Sequence, residues 1–234
     1  GQAFQHLLPP VPYVPRIAFI ISQRAHFLLT EALFLPGKPS RATILSECEA
    51  GKTVGCPQPH LQTEGLKHGG GICQISTTLY NAVLRSDLEI IARSGHTRKV
   101  RYIGGGLDAA LSGKDKDFVF RNNTDSDIYV FMWVDESQKT LCCEIYGCPF
   151  PSDFDRVDTV SELTSSTPPS EPQFVLDSAL EPGECVLKRK AIAGSTYQSY
   201  RVYSLNGEII RRVPIDKTEY PMHPALYAVG QGKS

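Results

Sequence analysis

Three consecutive glycines, Gly69-Gly70-Gly71, run straight into Ile72-Cys73-Gln74-Ile75-Ser76-Thr77-Thr78-Leu79-Tyr80-Asn81-Ala82-Val83-Leu84. At about 100° per residue, Ile72, Ile75, Leu79, Ala82 and Val83 fall on one narrow stripe, which predicts a helix. Cys73, Thr77, Tyr80 and Leu84 line up about 100° further round, so the helix is expected to have two covered faces. The pattern puts the Cys73 thiol in the first turn. There, unpaired backbone N–H groups and the positive end of the helix dipole favour a thiolate. The preceding glycines let another backbone or a substrate come close. Cys73 is therefore a candidate nucleophile. The competing reading is a small buried hydrophobe, the usual fate of a cysteine outside a disulfide.

Downstream the period changes from 3.6 to 2, and residues 88–93, 98–103, 117–122, 127–134 and 139–146 read as strands. In 127–134, Ile128, Val130, Met132 and Val134 face one way and Tyr129, Phe131 and Trp133 the other, which predicts a central strand covered on both faces. Asn122-Asn123-Thr124-Asp125 and Asp135-Glu136-Ser137-Gln138 read as turns. Near the C-terminus, alternation through Tyr200-Arg201-Val202-Tyr203 followed by Asn206-Gly207 predicts a hairpin. Upstream, residues 1–16 carry four prolines, residues 22–34 suggest a short helix, and residues 36–68 are rich in Gly, Pro, Gln and Thr.

The formal net charge of −1 gives no general attraction for nucleic acid or anionic lipid. Seven cysteines cannot all pair within the chain. None shows C-x-x-C spacing, and adding His60 and His68 completes no zinc pattern, so neither a metal nor another cofactor is expected. The apolar stretches 17–21 and 27–35 are interrupted by Gln23, Arg24, His26 and Glu31 and do not make a membrane span. The chain begins at Gly1 rather than Met, so an anchor upstream of it is expected.

The string GGGICQISTTLYNAVL resembles the signature of the VanW-domain family. Leu88-Glu89-Ile90-Ile91 with Gly95-His96-Thr97-Arg98-Lys99-Val100-Arg101-Tyr102 is similar to the family's next block. Gly106-Leu107-Asp108-Ala109 and Asp117-Phe118-Val119-Phe120-Arg121-Asn122-Asn123-Thr124 are similar to the two after it. Residues 157–230 resemble a G5 domain, a small β-module of bacterial surface proteins. Residues 36–68 depart from the VanW pattern. The resemblance implies an α+β fold, with a cysteine-bearing helix packed on an antiparallel sheet and a small all-β G5-like module after it. The boundaries would be 1–68 for a divergent N-terminal part, 69–150 for the VanW-like core and 151–234 for the G5-like domain. The module is expected to touch the cysteine helix little, so that a chain ending near Gly147 would keep its thiol reactivity.

The family is one of bacterial surface proteins first noted beside glycopeptide-resistance genes. The resemblance therefore implies a cell-wall protein of a Gram-positive bacterium, membrane-anchored in its full-length form. The motif cysteine of some members carries a peptidoglycan L,D-transpeptidase activity. Carried over, Cys73 is the nucleophile, His96 the base and Asp108 the residue that orients it, with Asp117 the runner-up. The backbone N–H groups of Cys73 and Gln74 with the Gln74 amide would stabilise an oxyanion, and Gly71, Ser76 and Thr77 would line the substrate. A helix of about 14 residues spans roughly 20 Å, and the strand at 88–93 returns a similar distance, so the chain can bring His96 back beside Cys73. Arg98, Lys99 and Arg101 either meet a substrate carboxylate or form a solvated face. The partners implied are peptidoglycan stem peptides and glycan. The alternatives are a non-catalytic wall-binding scaffold and a cysteine peptidase or amidase of the wall.

Overall fold

The computed structural model describes residues 23–24, 43–55, 71–112, 117–135 and 137–231. Its elements in chain order are β1 (Gln23–Arg24), β2 (Thr43–Cys48), β3 (Thr53–Gly55), α1 (Ile72–Arg85), β4 (Glu89–Arg93), β5 (Phe118–Arg121), β6 (Ile128–Asp135) and β7 (Thr140–Tyr146). Then come β8 (Arg156–Thr167), β9 (Gln173–Asp177), β10 (Cys185–Arg189), β11 (Gly194–Leu205), β12 (Glu208–Tyr220) and β13 (Leu226–Gly230).

Helix α1 is buried along nearly its whole length, from Gln74 to Leu84. A helix enclosed all round cannot leave its polar side chains to water. Thr78 Oγ1 donates to the Gln74 carbonyl at 2.9 Å, and Asn81 Nδ2 to the carbonyls of Thr77 at 2.8 Å and Leu107 at 2.7 Å. Ser76 and Thr77 bind the backbone of Ala109. These polar positions hold the segment 107–111 along one side of the helix. The apolar stripe of Ile75, Leu79 and Val83 packs with Phe118, Phe120, Ile128, Met132, Leu141 and Ile145. Burying each such side chain contributes roughly 1.5–3 kcal/mol.

The enclosure is built by sheets. The first runs β1-β7-β6-β2, wholly antiparallel, with β6 inside it. Ile128, Val130 and Met132 of β6 are buried in the core. The second is β3-β5-β4, also antiparallel. C-terminal to these, β12-β11-β8 makes an antiparallel sheet of strands 12 or 13 residues long. The β11–β12 turn carries Asn206 at φ 53° and Gly207 at φ 86°, where glycine meets no steric cost. The last sheet is β10-β13-β9, in which β13 and β9 are parallel.

Four expectations are corrected. The α+β class gives way to a mostly-β protein: 51% of the described residues lie in strands, in several sheets, with a single 14-residue helix among them. The physical reason is that the strands following the helix do not make one sheet. β4 and β5 belong to one sheet, β6 and β7 to another, and β8 packs on α1 from a third. Residues 98–103 do not form a strand. Their neighbourhood is tied to a loop instead, with Ala110 N donating to the Ser94 carbonyl at 2.7 Å and His96 N donating to a side chain rather than a ladder. Of the helix expected at 22–34, Gln23 and Arg24 are strand residues paired with β7, and the rest lies outside the described residues.

The fourth correction concerns the C-terminal module, which touches the cysteine helix closely. The last carbonyls of a helix lack intrahelical donors. Here Arg201 of β11 supplies one, with Nε 3.0 Å from the Leu84 carbonyl, which also takes the Asp87 N–H at 3.3 Å, and its Nη2 reaches the Leu88 carbonyl just past the helix. Tyr203 donates its hydroxyl to Asp87 at 2.6 Å, and Phe150, Phe154, Val157 and Tyr203 form a small apolar cluster.

Candidate active site

Cys73 lies in the first turn of α1 after Gly71, which starts the helix without a side-chain cap. Its sulfur is half-buried and lies 3.5 Å from both the N–H and the carbonyl of Leu111. The contact with Leu111 exists because Ser76 and Thr77, one turn on, hold Ala109.

His96 follows β4 in an irregular segment, with its side chain 20% exposed. Asp108 is fully buried. Asp108 Oδ2 is 2.6 Å from His96 Nδ1 and accepts the His96 backbone N–H at 2.7 Å. With Nδ1 engaged there, Nε2 is the ring nitrogen left over, and the thiol of Cys73 is the second group acting on the imidazole. The Asp108 bond and then the Cys73 bond lift His96 from its ordinary 6.5 to about 9, so the imidazolium is the dominant form at neutral pH.

A buried carboxylate needs several donors. Burial by itself pushes Asp108 up. The side chain of His96, the hydroxyl of Tyr220, the His96 N–H and the charge of Arg93 outweigh it and hold the group down at about 2. Asp108 Oδ1 takes the Tyr220 hydroxyl at 2.5 Å and Arg93 Nη2 at 3.1 Å. Arg93, at the end of β4, also donates Nε to the Asp108 carbonyl at 2.7 Å and Nη1 to Asp216 Oδ2 and Thr218 Oγ1, both at 2.8 Å. Burial and the Asp108 bond push the Tyr220 hydroxyl well above the usual phenol range. The Tyr102 hydroxyl is buried beside Thr77 without the geometry of a hydrogen bond, and burial pushes it up to about 12.

Cys73, His96 and Asp108 are thus brought together from three segments. Asp117 is elsewhere, exposed, and accepts the N–H of Phe118 at 2.7 Å as a turn residue does. The proposed oxyanion and substrate set is largely committed inside the fold. Gln74 N–H donates to the Gly71 carbonyl at 3.0 Å, and Ser76 and Thr77 are fully buried on Ala109. Only Gly71 of that set is half-exposed; the Gln74 side chain is buried. Arg98, Lys99 and Arg101 are exposed, and Lys99 Nζ donates to the Tyr197 hydroxyl at 2.9 Å. Among the described residues, no group of three or more His, Cys, Asp or Glu side chains is arranged to hold a metal, and no disulfide forms.

Sequence reasoning missed Arg93, Asp216, Thr218 and Tyr220. Asp216, Thr218 and Tyr220 alternate along β12 and so share one face. That spacing was the available signal, but nothing local says what the face meets.

Residues 60–146 match the family model described as VanW like protein. A 62-residue stretch is 48% identical to the uncharacterized protein YoaR of Bacillus subtilis (strain 168), covering 26% of this chain and 20% of that protein. The chain therefore spans about a fifth of the length of this relative. Among solved structures, an IgA1 protease G5 domain is similar at 18% identity and TM-score 0.23, over 33% of this chain and 92% of that one. The G5 domain HP0197-G5 is similar at 17% identity and TM-score 0.18, over 32% and 97%.

Proposed function

We propose that this chain, in which residues 60–146 form a VanW-family domain, is a bacterial cell-wall protein that acts as a cysteine L,D-transpeptidase on peptidoglycan stem peptides. In this reading residues 69–150 carry the chemistry, and residues 151–234, G5-like, face the wall. The observation that supports it is the arrangement around His96, whose Nδ1 lies 2.6 Å from Asp108 and whose imidazole is acted on next by Cys73. A nucleophile, a base and a group that orients the base are what acyl transfer through a thioester requires.

The Cys73 thiolate attacks the carbonyl between an L-centre and a terminal D-Ala. The C–N bond breaks as the His96 imidazolium gives its proton to the departing amine, leaving a thioester and neutral imidazole. The amine of a neighbouring stem then attacks the thioester, His96 takes up its proton, and the thiolate leaves. The product is a 3→3 cross-link. Asp108 keeps Nδ1 protonated throughout, so Nε2 alone exchanges protons.

The test is mass spectrometry of a stem tetrapeptide incubated with the protein, with and without an acceptor stem. Expected are loss of D-Ala and a cross-linked dimer, both absent in Cys73→Ala. Equal products from Cys73→Ala would overturn the reading. A product shortened by D-Ala but never joined to acceptor would make the protein a hydrolase. No turnover, with retention on isolated peptidoglycan, would make it a scaffold.

A further inference from the structure

Cys73, His96 and Asp108 all precede residue 112, so the chemistry proposed above makes no demand on the C-terminal strands. The geometry around Asp108 does. Its two oxygens are differently employed: Oδ2 is devoted to His96, through both the ring and the backbone N–H, while Oδ1 lies between Tyr220 and Arg93. We propose that Tyr220 is a positioning residue of the site, and that its strand makes the C-terminal module a working part of that site rather than a tether. This rests on the reading of Cys73, His96 and Asp108 as the reactive set.

Asp108 follows Gly104-Gly105-Gly106, a stretch with little conformational preference of its own, and Gly106 sits at φ +80°. Something outside the loop must fix it. The Tyr220 hydroxyl donates to Asp108 Oδ1 at 2.5 Å and accepts the Gly106 N–H at 2.9 Å. One hydroxyl thereby ties the loop backbone to the carboxylate and uses both its donor and an acceptor position. The Gly106 N–H keeps that oxygen oriented as a donor toward Asp108. Two residues back along β12, Thr218 holds Arg93 Nη1, and Asp216, two residues before that, holds the same nitrogen; this aims Nη2 at the same carboxylate oxygen. Ser161 of β8 donates to the Gly105 carbonyl, and the Tyr197 ring of β11 lies across Gly105, where a Cβ would come within 2.5 Å of it. The loop is therefore gripped by β8, β11 and β12 together. Without the grip on Oδ1, the carboxylate can swing off His96, and the imidazole loses the partner that fixes its tautomer and its aim at the thiol.

Tyr220→Phe in the full chain removes the hydroxyl and leaves the ring, which packs edge-on to Tyr197. The readouts are the pH profile of iodoacetamide reaction at Cys73, which needs no substrate, and the kcat and KM of cross-linking. We expect the neutral-pH reaction and kcat to fall about tenfold, as for a hydrogen bond to a charged group, with KM unchanged. In an Asp108→Asn background the same substitution should cost less than about twofold, because the residue through which it acts is already impaired. A folded Tyr220→Phe with the parent's pH profile would overturn the proposal, as would effects that multiply in the double variant. If Tyr220→Phe does not fold, Asp216→Asn, at a half-exposed position, takes its place, with a loss of about threefold expected and an unchanged profile counting against the proposal. A protein without cross-linking activity whose alkylation still depends on Tyr220 would sink the transpeptidase reading and leave this one standing. An active transpeptidase indifferent to Tyr220→Phe would do the reverse.

Discussion

Asp108→Asn is the sharpest perturbation of the site, because the Asp108 bond is the first cause of the raised His96. The rise from 6.5 to about 9 multiplies the ratio of imidazolium to imidazole about 300-fold. Only part of this belongs to Asp108, since the Cys73 hydrogen bond is the second cause and the two groups titrate as a pair. A loss of about tenfold in the thiolate–imidazolium form at pH 7 is a conservative expectation for the variant. The assay is iodoacetamide alkylation from pH 5 to 10, followed on the Cys73 peptide so that the other cysteines do not interfere. The parent should react appreciably below pH 7 and level off before rising again as the imidazolium is lost near pH 9. Asp108→Asn should lose the low-pH shoulder and follow one ionisation near the ordinary thiol value of about 8.5, meeting the parent at the alkaline end. His96→Gln should give the same profile, and the double variant should be no slower than either. Asn keeps the shape of the side chain, and Arg93 retains Asp216 and Thr218, so folding can be verified by circular dichroism. Superimposable profiles for Asp108→Asn and the parent would refute the coupling of these residues.

Four further outcomes are expected. Stability should be greatest between about pH 4 and 6.5: the contribution of His96 is complete below 6.5 and lost as pH rises through about 9, and that of Asp108 is complete above 3.8 and lost as pH falls toward about 2. Thermal melts should therefore fall on both sides of that window, by about 5 °C at pH 9.5, and a melting temperature unchanged from pH 6 to 9.5 would contradict the His96 assignment. Gly105→Ala should destabilise the chain by about 1–3 kcal/mol and slow alkylation of Cys73, because the new Cβ would displace the Tyr197 ring; denaturant titration and the alkylation rate both report it. Arg201→Ala removes a charged donor from each of the Leu84 and Leu88 carbonyls and should cost about 1–3 kcal/mol in the same titration. By the same contacts, a chain ending at Gly147 should lose the neutral-pH reactivity of Cys73 rather than keep it.

What the sequence could and could not reveal follows from the distance over which each feature is determined. The cysteine helix is written in a local period, and the return of His96 to its start needs only chain length and one strand. Asp108 was harder to read, since a glycine-rich loop has no preferred course until other strands hold it. The mistaken strand at 98–103 has the same origin: alternation describes a segment that can pair, but the residues just before it are tied elsewhere, the His96 N–H to a carboxylate and the Ser94 carbonyl to a loop.

The largest misreading was the separateness of the C-terminal module, and it follows from the same logic. Arg201, Asp216, Thr218 and Tyr220 reach partners more than 100 residues away in the chain, and each lies in a strand whose alternation is satisfied equally well by water on that face. Composition even points the wrong way, because polar side chains at a strand's surface read as solvated. What separates a solvated face from a docking face is whether the groups opposite it lack donors. Here they need more, at two places: the end of α1, where the Leu84 carbonyl takes the Asp87 N–H at a long 3.3 Å, and Asp108, a buried charge with one oxygen to satisfy. Both needs arise in the first half of the chain and both are met from the second. A buried carboxylate after a glycine run is therefore a reason to look for a distant tyrosine or arginine, and a domain boundary drawn from composition alone would cut the two apart.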